Sequence, residues 1–473
     1  MNPEPSPIEA PRQRLLQAFW STLGGAPSDL EAASFHDEAD WPCAFELGSF
    51  AAAAVAAAGL ALAALGRAQR GGEAALPALR VSQRLCGLWF GFSLRPQGWQ
   101  LPAPWDAVAG DYRCADGWIR LHTNAPQHRA AALDVLRVPA EREAVAAAVA
   151  GWNGEALETA IVERGGCAAA MRSWTEWQAH PQGRAVLAEP LLERRAGDAA
   201  ARGEWDATAA RPLQGLRVLD MTRVLAGPVA TRLLAGLGAE VLRIDPPGWD
   251  EPAVVPEMTP GKRCARLDLR EAAGRERWQS LLQEADVIVH GYRRDALEAL
   301  GLGASTRRRL RPGLVDVSLD AYGFSGPWAA RRGFDSLVQM SMGIAEAGRR
   351  ATGGDRPRPL PVQALDHATG YLLAAAALRG LEERWRSGRG SQARTSLARI
   401  GALLMSEARD PLRASAPAMQ EIDDDLAPAI ENTAWGSARR LRWPFEVEGV
   451  HPGWDRPARG LGDADAAWQD RGG

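Results

Sequence analysis

Between residues 212 and 403 short apolar runs alternate with stretches of helical periodicity. The run 216–220 (LRVLD) suits a buried strand. The loop 225–228 (LAGP) follows, with Pro228 well placed for a first helical turn. Val229, Leu233, Leu234 and Leu237 then mark one helical face, and Gly238 ends it. Residues 240–245 (EVLRID), 286–290 (DVIVH) and 314–319 (LVDVSL) are the next strands, with Arg- and Leu-rich helical stretches between them. Strands alternating with helices predict a parallel α/β sheet. Ligands of such sheets sit at the carboxyl ends of the strands, so the loops after Asp220, Asp245 and His290 are where to look. A long helix is expected over 368–385, with Tyr371, Leu372, Ala375, Leu378 and Leu381 on one face and Asp366 just before it.

The same patterning divides the chain. Residues 1–36 read as a partly ordered leader with a helical piece at 12–23. Residues 37–192 form a Trp-rich compact unit, and 193–211, almost without large apolar side chains, reads as a linker. The α/β unit spans 212–403, and 404–473 is an irregular return segment. Residues 50–66 are nearly all Ala, Val, Leu and Gly. At the short limit for a membrane span and dominated by Ala, they predict a buried soluble helix instead. This helix and the one at 368–385 are each followed by a glycine turn and an R-x-S segment. Arg80, Ser82 and Gly87 correspond in spacing to Arg394, Ser396 and Gly401, which suggests an internal repeat.

Composition narrows the function classes. The 473 residues are 46% hydrophobic and 24% charged, a globular balance. The net charge of −3, from 55 basic and 58 acidic residues, carries no footprint for nucleic acid or an anionic membrane. Five scattered cysteines without a C-x-x-C argue against structural zinc or a disulfide framework and fit a cytoplasmic protein. Residues 1–13 lack the basic-then-apolar order of a signal peptide. No metal site is expected, because His122 and His128, six apart, have no Cys or acidic partner in register. No G-x-S-x-G elbow and no G-x-G-x-x-G loop is present, which disfavours a hydrolase triad and a dinucleotide site. Asp366 reads either as a helix cap or as a nucleophile; a helix N-terminus favours the ionised form that attack requires. Among the basic pairs 262–263 and 293–294, Lys262 stands out as the only lysine in the chain.

The α/β unit resembles the family III CoA-transferases, the group that includes formyl-CoA and carnitine CoA-transferases and the α-methylacyl-CoA racemases. Five blocks in family order carry the resemblance. They are 213–248 (LQGLRVLDMTRVLAGPVATRLLAGLGAEVLRIDPPG), 261–269 (GKRCARLDL), 285–302 (ADVIVHGYRRDALEALGL), 311–343 (RPGLVDVSLDAYGFSGPWAARRGFDSLVQMSMG) and 364–381 (ALDHATGYLLAAAALRGL). Segments 110–124 and 171–192 resemble the smaller domain of the same family, and 434–449 its return into the large one. The later portion thus precedes the nucleotide-binding portion, as in a rearranged or partly duplicated chain.

The resemblance implies a Rossmann-like large domain with a smaller α+β domain. It implies a CoA-transferase with Asp366 as nucleophile, working through a mixed anhydride and an aspartyl-CoA thioester. Leu225, Ala226, Lys262, Arg263 and Arg293 would meet the CoA phosphates and ribose. A CoA thioester is expected as substrate, with no permanent cofactor. Two alternatives stay open: a non-catalytic acyl-CoA-binding subunit, and a racemase or isomerase. Racemases of the family carry G-H-D where this chain has 333–335 (GFD). Phe334 exchanges no proton; His367 is the substitute to consider. The first copy has no counterpart of Asp366 at 47–50, so one active centre per chain is expected. No glycine-run lid is evident, and 165–166 is a poor candidate. Family dimers interlock, so either a homodimer or a site completed within one chain is implied.

Overall fold

The computed structural model describes residues 10–469 except 73–74, 201–204, 206, 294, 408–409 and 416–418. Residues 1–9 of the expected leader, five positions of the expected linker, Arg294 and the last four residues of the return segment lie outside the described residues. The N-terminal part runs α1 (Pro11–Thr22), β1 (Ala33–His36), α2 (Leu47–Gln69), β2 (Leu79–Ser82), α3 (Gln83–Phe90) and β3 (Leu94–Pro96). Helix α2 is the Ala-rich stretch. By length and apolarity it could cross a membrane, yet its most apolar window is entirely buried inside the chain. Leu15, Leu16, Phe19 and Trp20 of α1 are buried within the same core. A small antiparallel sheet follows, β4 (Gly110–Cys114), β5 (Gly117–Leu121) and β6 (Ala168–Ala170), with α4 (Pro126–Leu136) packed in its own core.

The large sheet has seven strands: β7 (Glu193–Ala199), β8 (Arg217–Met221), β9 (Glu240–Asp245), β10 (Lys262–Arg266), β11 (Val287–His290), β12 (Val315–Asp320) and β13 (Arg389–Ser396). Their spatial order is β10-β9-β8-β11-β12-β13-β7. All pairs are parallel except β13 with β7. The mixed α/β architecture read from the sequence is therefore present. Four of the central strands fall where the apolar runs predicted them. Strand β7 lies in the stretch expected to be linker: its pairing comes from backbone groups, which a polar edge strand supplies as well as an apolar one.

Helices α5 (Ala226–Gly236), α6 (Asp335–Ser341), α7 (Ala364–Ser387) and α8 (Leu397–Ser406) follow from this unit. Helix α7 packs against both α2 and α5. The suggested repeat has a structural counterpart. Ser82 caps α3 by accepting from the Leu85 N–H at 3.2 Å, and Ser396 caps α8 from the Arg399 N–H at 3.2 Å. The return segment forms β14 (Leu426–Thr433), β15 (Gly436–Leu441) and β16 (Phe445–Val447). Strand β15 pairs with β14 and β3, and β16 with β2, so the end of the chain completes the sheets of its beginning.

Candidate functional site

The site starts at the turn from β8 into α5. Val224 sits at φ +64, a left-handed conformation that costs a β-branched residue about 1–2 kcal/mol. Its N–H donates to Glu251 Oε2 at 3.0 Å, and Glu251 is held by Arg243 at 2.5 Å and by the Trp249 indole N–H at 2.9 Å. Beneath the turn, Lys262 pairs with Asp220 at 3.0 Å and donates to Thr231 Oγ1 at 2.7 Å and the Pro228 carbonyl at 3.1 Å. Burial alone would raise the Asp220 carboxyl. The Lys262 and Arg243 charges outweigh it and hold that carboxyl below its ordinary value. Lys262, expected at the CoA phosphates, is thus a wholly buried counter-ion that braces the turn from below. Arg263 also lies away from the site. It stands near the start of β10, at the opposite end of the sheet, where it donates to the Ala467 carbonyl at 2.6 Å and faces Glu240 at 3.6 Å.

Helix α7 carries Asp366 in its first turn rather than ahead of it. Gly370 lets α7 lie against α5: a Cβ there would come within 2.5 Å of the Ala226 carbonyl oxygen and 2.6 Å of Val229 Cβ. The cap of α7 is not Asp366 itself. Asp335, at the start of α6, accepts from the N–H groups of Leu365 at 2.8 Å and Asp366 at 3.0 Å. Its other oxygen accepts from Gln339. Burial first, then the Asp335 charge, pushes the Asp366 carboxyl well above the usual carboxylate range. Asp335 is pushed up by burial as well, and its hydrogen bonds only partly offset this. The helix N-terminus therefore stabilises Asp335, and Asp366 receives the like charge instead.

Asp366 opens into a cleft of about 480 Å³ at the carboxyl ends of β8, β11 and β12. Leu225, Ala226 and Arg293 line the same cleft, so these three of the five expected CoA-binding residues join Asp366 and Lys262 and Arg263 do not. The loops after Asp220, Asp245 and His290 contribute Thr222, Pro246 and Gly291 to the wall. Arg223 lies between the rings of Trp249 and Tyr292, 5.1 Å from each, and donates to the Tyr292 hydroxyl at 3.0 Å. The opposite wall comes from the small sheet unit: Gln127 and His128 in the first turn of α4 face the cleft beside Arg331, Arg332 and Phe334. His367 does not line it. Its ring stacks on Phe90 at 5.0 Å, and burial drives its pKa down to about 3, so it is no substitute proton carrier at this site. Phe334 stacks on His122 at 3.8 Å and meets His128 edge-on at 5.8 Å.

Sequence reasoning missed Asp335 and the α4 wall. The aspartate was in view as the last letter of 333–335, but only the folding of the chain between Ser341 and Ala364 brings it onto α7. His122 and His128 were weighed as metal ligands; their common partner is an aromatic ring some two hundred residues away.

A parallel α/β sheet with a carboxyl opening into a cleft at its carboxyl edge is the frame of a ligand-binding α/β protein. Residues 213–428 match the sequence model of CoA-transferase family III. The chain is 34% identical over 193 residues to a protein named probable fatty acyl-CoA transferase from Mycobacterium tuberculosis, covering 38% of this chain and 48% of that one. It is 34% identical over 229 residues to the succinyl-CoA:glutarate CoA-transferase of Mus musculus, covering 43% and 51%. A match to an acyl-CoA transferase of Gibberella moniliformis extends over 330 residues at 28% identity, covering 63% and 57%. A solved structure of a CaiB/BaiF family protein from Brucella suis is 27% identical, covers 48% of this chain and 65% of that one, and superposes with a TM-score of 0.38. The chain spans about half the length of the first curated relatives it matches.

Proposed function

We infer that the protein is a CoA-transferase that moves CoA between an acyl-CoA and a carboxylic acid, with Asp366 as nucleophile. The observation that carries this reading is the Asp366 carboxyl, which opens into the cleft and takes no hydrogen bond among the described residues. Asp220, Asp245, Glu257, Asp286 and Asp316 are each paired with a cation, and Asp335 and Asp320 each accept backbone N–H groups; the Asp366 carboxyl does neither among the described residues.

The chemistry balances without an outside redox partner. Asp366, as carboxylate, attacks the thioester carbonyl and CoA leaves as thiolate, giving a mixed anhydride. The thiolate then attacks the aspartyl carbonyl, releases the first acid as carboxylate and leaves an aspartyl-CoA thioester. The acceptor carboxylate repeats the two steps in reverse. The apolar surroundings of Asp366 exclude water that would hydrolyse either intermediate. They also raise its pKa, so the group must lose its proton before it attacks. Leu225, Ala226 and Arg293 are assigned to CoA within the cleft. A reducing compartment such as the cytoplasm belongs to the same reading and is supported by five buried, unpaired cysteines.

The test is intact-mass measurement after mixing with acyl-CoA thioesters, then with hydroxylamine. A hydroxylamine-sensitive adduct on Asp366 is expected. Asp366→Ala should lower exchange by about 10³-fold or more while CoA still binds. Unchanged exchange in that variant overturns the reading. CoA binding with no adduct from any donor would favour a non-catalytic acyl-CoA-binding subunit, which the high pKa of Asp366 also suits.

A further inference from the structure

Asp366 is tied to the small sheet by an unbroken chain of short contacts. His122, just past β5, lies flat on Phe334, with ring centres 3.8 Å and planes 7° apart. Phe334 is extended and directly precedes α6, whose first residue is Asp335. Asp335 in turn accepts from the Leu365 and Asp366 N–H groups at 2.8 and 3.0 Å. The path from the end of β5 to the first turn of α7 therefore has no gap.

His122 is built as a plate. Its backbone N–H donates to the Cys167 carbonyl at 2.9 Å, which anchors it in the small sheet, and Trp105 meets its ring edge-on at 5.9 Å. Its Nδ1 is buried without a hydrogen-bond partner, so the ring is held by its neighbours' rings. Burial first, then the His128 and Arg120 charges, drive its pKa down to about 3, and it stays uncharged near neutral pH. Two residues earlier, Arg120 is fixed by Asp111 at 2.7 Å and lies 4.7 Å over the Trp105 ring. Its charge favours the ionised form of Asp335. The end of β5 thus gives residues 334–335 both a surface and a charge.

What this arrangement holds off matters for Asp366. The first-turn N–H groups of a helix stabilise a carboxylate that reaches them. Asp335 occupies two of them and sets its own charge beside Asp366, where no other charge bears. Arg232 of α5 is turned to Glu257 and Arg399 of α8 to the Glu189 carbonyl. Arg293, Arg331 and Arg332 line the cleft without acting on Asp366. We propose that His122 is a positioning residue: through the Phe334 stack, the small sheet holds Asp335 on the N-terminus of α7 and keeps those N–H groups from Asp366. The bearing of this contact on catalysis rests on the reading of Asp366 as the nucleophile; the contact itself does not.

The test is an NMR titration of protein isotopically labelled at the aspartate Cγ, with the Asp366 signal identified by its loss in Asp366→Asn. In the parent it should titrate above the ordinary carboxylate range. His122→Ala should lower that titration by roughly half to one pH unit, the size of a helix N-terminus acting on a carboxylate. Phe334→Leu, which removes the other ring of the stack, should lower it as much. His122→Phe, which restores a flat ring, should keep the parent value. In an Asp335→Ala background, where the cap is gone, His122→Ala should shift nothing further. An unmoved titration in both stack variants overturns the proposal. So does an equal shift in the Asp335→Ala background, since water reaching Asp366 would then be the cause. A His122→Phe variant that shifts like His122→Ala overturns it as well. Exchange kinetics are read separately. A titration that shifts as stated, with an acidic limb of exchange that does not follow it, upholds the positioning and sinks the nucleophile reading.

Discussion

Asp366 and Asp335 form a pair in which one carboxylate holds the helix and the other faces the cleft. Their charges are coupled, so a change at the first must be felt at the second. Asp335→Asn removes the like charge that helps keep Asp366 protonated. The acidic limb of the exchange-rate profile should then move to lower pH, because Asp366 ionises more readily; a kinetic pH titration of both proteins reads this. An unmoved limb would show that burial alone sets the Asp366 pKa. At this scale the sequence was half legible. The block around Asp366 made it the candidate nucleophile, and the loops lining the cleft were placed correctly. The cap was not legible, because it crosses from another helix. Lys262 was misread for a related reason: rarity marked it as special, but the special task is a buried ion pair with Asp220.

At the scale of elements, one carboxylate ties three distant segments together. Glu257 accepts from the Ser93 and Leu94 N–H groups ahead of and within β3, each at 2.9 Å, and from Arg440 of β15 at 3.1 Å. It is also bonded to Arg232 of α5. Burial would raise its pKa, but the Arg232 and Arg440 charges prevail and bring it to about 2. A carboxyl depressed in the folded state stabilises the fold above its unfolded pKa, and that contribution is lost as pH falls toward about 2. Glu257→Ala leaves two buried guanidiniums without their partner and should cost about 3–5 kcal/mol in a denaturant titration near neutral pH. In the parent, the same stabilisation should fade on acidification below the ordinary carboxylate range of about 4. None of this was visible in the sequence. The α/β strands were visible, because buried parallel strands are continuous apolar runs. Strands β7 and β14 were not: as half-exposed edges, their side chains carry no such run.

At the scale of the molecule, the expected boundary between two units is not a boundary in packing. One buried core contains Leu15 and Phe50 from the N-terminal part, Val218 and Leu372 from the α/β unit, and Phe445 from the return segment. Residues that share a core unfold together. Fluorescence of Trp20, in α1, and of Trp328, which packs against the same core from the α/β unit, should therefore report coincident denaturant transitions when each is left as a single probe. Two separated transitions would restore the picture of a linker between independent bodies. The resemblance of local blocks suggested a rearranged order; the way the strands of the return segment pair with those of the N-terminal part was not readable, since strand pairing over hundreds of residues leaves no local mark.

That interlocking has a consequence for how the protein comes into being. Strands β2 and β3 are made early, but their partners β16 and β15 lie beyond residue 435. At ordinary synthesis rates the first sheets wait roughly tens of seconds with open edges while the rest of the chain is translated. Such edges are templates for pairing with other chains. The ribosome-bound precursor is thus the most vulnerable form of this protein. Its yield in a cell will depend on whatever shields those two edges until the last strands arrive.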